Sequence, residues 1–88
     1  MQAVNFTLNG KPASVEFISR YHDQNDYRVH LGGGTSGRVR HLDGGAMSSQ
    51  SEHLTDADAA IAIAAYLEAQ EREYQEWRRQ NAHLLESA

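Results

Sequence analysis

Val4, Phe6 and Leu8 alternate with Asn5, Thr7 and Asn9, the period-two pattern of a strand with one buried face. Asn9-Gly10 follows, a strong short hairpin signal. Pro12 cannot donate to a ladder and is expected in the loop or at an edge. Alternation resumes at Ala13, Val15 and Phe17. A loop of Asn9 to Pro12 would pair Leu8 with Ala13, Phe6 with Val15 and Val4 with Phe17, with all six on one face. After a polar turn read over Tyr21 to Asp26, Tyr27, Val29 and Leu31 alternate with Arg28 and His30. A Gly-rich connector leads to a fourth strand, in which Val39 and His41 share one face and Arg38, Arg40 and Leu42 the other. The segment DGGAMSSQSEH, residues 43–53, reads as a mobile loop with no strand of its own.

The pattern changes at Thr55. Thr55 and Asp58 have the spacing of a capping box, and neither Gly nor Pro interrupts the chain from there to its end. A helix over residues 55–86 is predicted, unbroken from about Asp56 to at least Ala82. Ala60, Ile63, Leu67, Gln70, Tyr74, Trp77, Asn81 and Leu84 recur in steps of three and four, the spacing of a coiled-coil seam, with Leu85 beside it. Thirty helical residues span about 45 Å, whereas a seven-residue strand covers about 23 Å. One half of the helix fits on a small sheet and the other half does not. Ile63 and Leu67 are therefore expected on the sheet, against Val4, Phe6, Val15, Phe17, Val29 and Leu31. Gln70, Tyr74, Trp77, Asn81, Leu84 and Leu85 are expected at a protein interface. Two such half-helices can pack antiparallel, with Gln70 and Asn81 fixing register.

The expected fold is thus α+β: one domain over residues 1–88, with about four antiparallel strands in two hairpins over 1–42, a flexible loop over 43–54 and one long C-terminal helix. Eighty-eight residues bury a limited core. With no cysteine, disulfides, thiolate metal sites and cysteine nucleophiles are excluded. No basic and apolar leader opens the chain and no apolar run is long enough for a bilayer, so a cytoplasmic protein without membrane contact is expected. The formal charge of -4 is unlike the basic footprint of an obligate nucleic-acid binder.

Chemistry-bearing motifs are sparse. LGGGTSGRVR lacks the helix that a phosphate loop requires after its glycines. The five histidines have no metal-ligand spacing, and no acid pair or Ser/His/Asp set implies a catalytic constellation. No enzyme activity, cofactor or metal is expected. Arg28, His30, Arg38 and Arg40 share the outer face of the second hairpin, with Arg20 and His22 nearby. Such a local basic stripe suits phosphates of a nucleic acid or an acidic partner.

FTLNGKPASVEF resembles the opening hairpin of plant-type iron–sulfur ferredoxin domains. The likeness spans these residues alone, and the ligand cysteines of that family are absent, so only hairpin chemistry carries over. The functional expectation is a non-enzymatic module that docks on a protein partner, as an inhibitor or regulator, or on its own copy as a homodimer. By analogy of size and charge alone, it stands beside small phage and mobile-element proteins such as the anti-CRISPRs. A nucleic-acid-binding regulator using the basic stripe is the alternative.

Overall fold

The computed structural model describes residues 3–86, with side chains to residue 84. Five antiparallel strands form one meander sheet in chain order: β1 Val4–Leu8, β2 Lys11–Tyr21, β3 Gln24–Leu31, β4 Ser36–Leu42 and β5 Met47–Ser49. Helix α1, Asp56–Gln80, packs on one face, and a short α2, Ala82–Glu86, follows. The architecture is the expected α+β arrangement with one strand more.

The first hairpin departs from the expected register by two residues. Asn9 (φ 53) and Gly10 (φ 80) alone make the turn, as a two-residue turn with both centres left-handed. Leu8 then pairs with Lys11, Phe6 with Ala13 and Val4 with Val15. Pro12 lies inside β2 rather than in the loop. Hydrogen-bonded and non-bonded pairs alternate from the turn, so Thr7 and Pro12 form a non-bonded pair and the missing N–H faces away from β1. The β2–β3 ladder begins only at Ala13 and Leu31, so Pro12 interrupts nothing. The two-residue shift preserves the face of every side chain.

The second connection is also tighter than expected. Tyr21 already pairs with Gln24, leaving only His22 and Asp23 in the turn. A bulge between Phe17 and Ser19 reverses the alternation, so that Arg20 pairs with Asn25 on the helix side of the sheet. In the β3–β4 hairpin Tyr27 pairs with Val39, Val29 with Gly37 and Arg28 with Arg38.

The segment expected to be a plain loop contains β5, which pairs Val39 with Ser49 and His41 with Met47. Its sequence has no apolar alternation; the backbone supplies the order. The Gln50 amide donates to the Arg38 carbonyl at 2.8 Å, and the Ser49 amide donates to Asp56 Oδ1 at 2.8 Å, tying the strand to the helix start. Buried Leu54 then closes over Gly37, where an added Cβ would come within 2.8 Å of Leu54 Cδ1.

Helix α1 begins with the expected capping box. The Asp58 amide donates to Thr55 Oγ1, and the Thr55 amide to Asp58 Oδ2, both at 3.0 Å. The buried face consists of Ala59, Ala62, Ile63 and Tyr66, at the i, i+3, i+4, i+7 spacing of one helical stripe. Small Ala59 and Ala62 let the helix lie close on Val15, Val29 and Val39, all fully buried. Tyr66 meets Tyr27 edge-on at 5.0 Å, and Tyr27 meets Phe17 at 5.7 Å. The packed stripe is therefore rotated from the one read in the sequence, and Leu67 lies at its margin, 36% exposed. Phe17, expected in the core, is 43% exposed at the place where the helix leaves the sheet. The helix is also not continuous to Ala82. Asn81 (φ -113, ψ 21) caps α1, its Nδ2 donating to the Trp77 carbonyl at 2.8 Å, before α2 resumes.

Candidate interaction surfaces

Two surfaces correspond to the residues singled out from sequence. The first is the overhang of α1. The last buried residue of the helix is Tyr66, and every residue from 70 to 80 is exposed. Tyr74 and Trp77 each lie eleven residues beyond a buried partner, Ile63 and Tyr66 respectively. Eleven residues are about three turns, so both aromatics continue the core-facing side of the helix past the end of the sheet. Their rings stack, with centroids 6.4 Å apart and planes at 15°. The Arg78 guanidinium lies 6.0 Å from the Tyr74 centroid, a distance at which cation–π attraction begins to act. Even stacked, Tyr74 is 52% and Trp77 49% exposed.

Gln70 lines two clefts. One, of about 320 Å³, adds Glu73, Tyr74 and Trp77. The other, of about 290 Å³, lies under the departing helix and adds Phe17, Asn25, Tyr27, His41, Tyr66 and Leu67. The overhang and the sheet end thus form one aromatic and apolar tract. Phe17 is the member that sequence reasoning missed, because the expected register placed it beside Val4 in the core. Asn81 and Leu84 lie beyond the tract, at the turn and in α2, with Leu84 exposed. The side chain of Leu85 is outside the described residues.

The second surface is the face of the sheet opposite the helix. Arg28, His30, Arg38 and Arg40 share it, as the register requires. Its carboxylates were not legible from sequence. Asp26, 6% exposed, accepts from Arg40 Nε at 3.0 Å and lies 3.7 Å from Arg38. His30 Nε2 is 2.9 Å from Glu16 Oε1. Arg28 stands between Glu16 on β2 and Arg38 on β4; the carboxylate across from it offsets part of its charge, and the like-charge juxtaposition with Arg38 disfavours that pair. Both line an open cleft of about 530 Å³ with Ser36, Gln50, Glu52 and His53. Arg20, expected near this stripe, is on the other face. Its guanidinium is bonded to Asp43 at 2.9 Å, and this hydrogen bond with the adjacent charge raises its pKa further.

Among the described residues, no three His, Asp or Glu side chains gather as a metal site, and no helix is long and apolar enough to cross a membrane. No protein-family model, no curated protein and no solved structure matches the chain.

Proposed function

We propose that this protein is a binding module that acts by docking the overhang of α1 on another protein chain. The observation that carries this reading is the continuation of the core-facing stripe, through Leu67, Tyr74 and Trp77, beyond the end of the sheet. Burying the exposed part of each of these side chains, about half for Tyr74 and Trp77 and a third for Leu67, contributes on the order of 1 kcal/mol per residue. Stacked aromatics beside Arg78 are the side-chain types in which interface energy concentrates. An inhibitor or regulator that works by occupying a partner's surface needs no more chemistry than this, and the analogy with small acidic phage and mobile-element proteins fits it. A second copy is the simplest partner.

The test compares capture from a native lysate by the unmodified protein and by the Tyr74→Ala/Trp77→Ala variant. Proteins retained by the first and lost by the second support the reading; identical capture refutes it. One observation favours nucleic acid as a second reading: Arg28 and Arg38 share an open cleft, and among the described residues Arg28 makes no ion pair, although Glu16 lies across from it. Binding of that kind weakens steeply with salt, and Arg28→Ala/Arg38→Ala/Arg40→Ala should lower both the affinity and the salt slope. No measurable binding to DNA or RNA at low salt removes it.

A further inference from the structure

The overhang has a symmetry that selects one partner. From Leu67 to Leu84 its seam runs Leu67, Gln70, Tyr74, Trp77, Asn81, Leu84: apolar, amide, aromatic, aromatic, amide, apolar. It reads alike from either end, about a point midway between Tyr74 and Trp77. A second overhang laid antiparallel would set like chemistry against like in every layer, with Tyr74 against the second copy's Trp77 and Gln70 against its Asn81. The flanking charges agree. Glu71 and Arg78 both directly follow seam positions, on the same flank, where antiparallel helices bring side chains into contact. Each Glu71 then meets an Arg78 of the other copy. Arg72 and Arg79, which would repel, lie on the far side of the helix. In a parallel pair Glu73 would meet the other copy's Arg78, so charge does not exclude that arrangement; the sheets do, because each packs on the core-facing side of its own helix and both would be brought to the same end of the seam.

Resting on the docking reading above, we infer that two copies pair their overhangs antiparallel about an axis between Tyr74 and Trp77, so that the Asn81–Leu84 end of each covers the Phe17–Leu67 cleft of the other. Leu67 and Leu84 lie at equal distances from the axis, about 13 Å along the helix, which brings each copy's C-terminal turn to the sheet end where Phe17 is exposed. The pairing requires α2 to run on in the direction of α1. It explains in one arrangement why the core-facing stripe outlasts the sheet and why a Phe on the helix side of that sheet is uncovered.

Charge exchange provides the test. Glu71→Arg and Arg78→Glu should each weaken self-association at least tenfold by analytical ultracentrifugation at low salt. An equimolar mixture of the two should restore it, because every flanking pair in the mixed dimer is again opposite in sign. Phe17→Ala, checked for retained folding by circular dichroism, should also weaken the dimer. With no native cysteine, Gln70→Cys/Asn81→Cys should oxidise to a covalent dimer. A self-associating protein whose two charge variants fail to complement each other overturns the antiparallel register. A monomer at high micromolar concentration with water-exposed Trp77 fluorescence overturns the second copy as partner and leaves docking on a different protein standing. A monomer with shielded Trp77 overturns both.

Discussion

Replacing Ile63 and Leu67 one at a time by Ala separates the two faces that the helix presents. Ile63 is fully buried in the cluster formed with Val15, Val29, Val39, Ala59, Ala62 and Tyr66. Its truncation removes three carbons from a site flanked by alanines, which cannot reach into the space left. Such sites lie within the roughly 2–5 kcal/mol range for Ile→Ala, and the poor prospect of collapse argues for about 3–4. A chain of this length has a stability of about 4–13 kcal/mol on a per-residue scale, so the loss is a large fraction of the whole. Leu67 is 36% exposed at the margin of the packed stripe, and Leu67→Ala should cost about 1–1.5 kcal/mol in the isolated chain. Urea unfolding followed by circular dichroism measures both. The Ile63→Ala loss should not vary with protein concentration. The Leu67→Ala loss should grow with it if the overhang pairs, since association stabilises by mass action. Equal losses at low concentration would refute the reasoning, because they would centre the packed face between the two residues, as the heptad pattern alone suggests.

Two further outcomes follow from local geometry. An added Cβ at Gly37 would lie 2.7 Å from Ser51 Cβ and 2.8 Å from Leu54 Cδ1, so Gly37→Ala should destabilise by about 1–3 kcal/mol through overpacking and speed exchange of the Gln50 amide bonded to Arg38. Burial, with a smaller contribution from Tyr66, raises the pKa of the Tyr27 phenol. Unfolding then releases its proton more readily than the folded state does, so stability should fall as pH rises past about 10, and Tyr27→Phe should remove that part of the alkaline loss in pH-dependent urea titrations.

Side-chain alternation was sufficient to assign faces, and caps were sufficient to start the helix. Val4, Phe6, Val15, Val29 and Val39 all lie on the expected side, and Thr55 and Asp58 make the expected box. The pairing was less legible because an even shift leaves every face unchanged. Nothing in the alternation tells Leu8–Ala13 from Leu8–Lys11; only the preference of Asn-Gly for a two-residue turn does, and Pro12, which strands disfavour in their interior, points the other way. β5 was not legible because it has no apolar alternation of its own; its order comes from backbone pairing with β4 and from the Asp56 side chain, which a hydropathy pattern does not report. On the helix, Ala59, Ala62, Ile63 and Tyr66 form a stripe as regular as the heptad, but three small or polar-tipped residues carry a weak signal beside Leu67 and Trp77. The basic face was readable as a set of positions. Its internal counter-charge was not, because Asp26 falls in YHDQND, whose polarity predicts a turn rather than a strand.

That counter-charge bears on the choice between the two proposed surfaces. On the outer face, Asp26 and Glu16 already engage Arg38, Arg40 and His30, and any incoming phosphate must compete with them in water, where exposed charges are screened beyond about 8–10 Å. The seam positions Leu67, Gln70, Tyr74 and Trp77 carry no charge, so no such competition arises there. The helix beyond Gln70 is extended from the docked half, so the nucleation cost is met there. It then relies on local contacts: Gln75 donates to Glu71 at 2.8 Å, Gln80 reaches Glu76 at 3.5 Å, and Asn81 caps the end. Interactions of this kind contribute about 0.2–0.5 kcal/mol each. Covering Leu67, Tyr74 and Trp77 is worth several times that. On the docking proposal, the ordering of the overhang and the occupancy of its seam are coupled, and a chain that buried Trp77 would also stabilise the helix end.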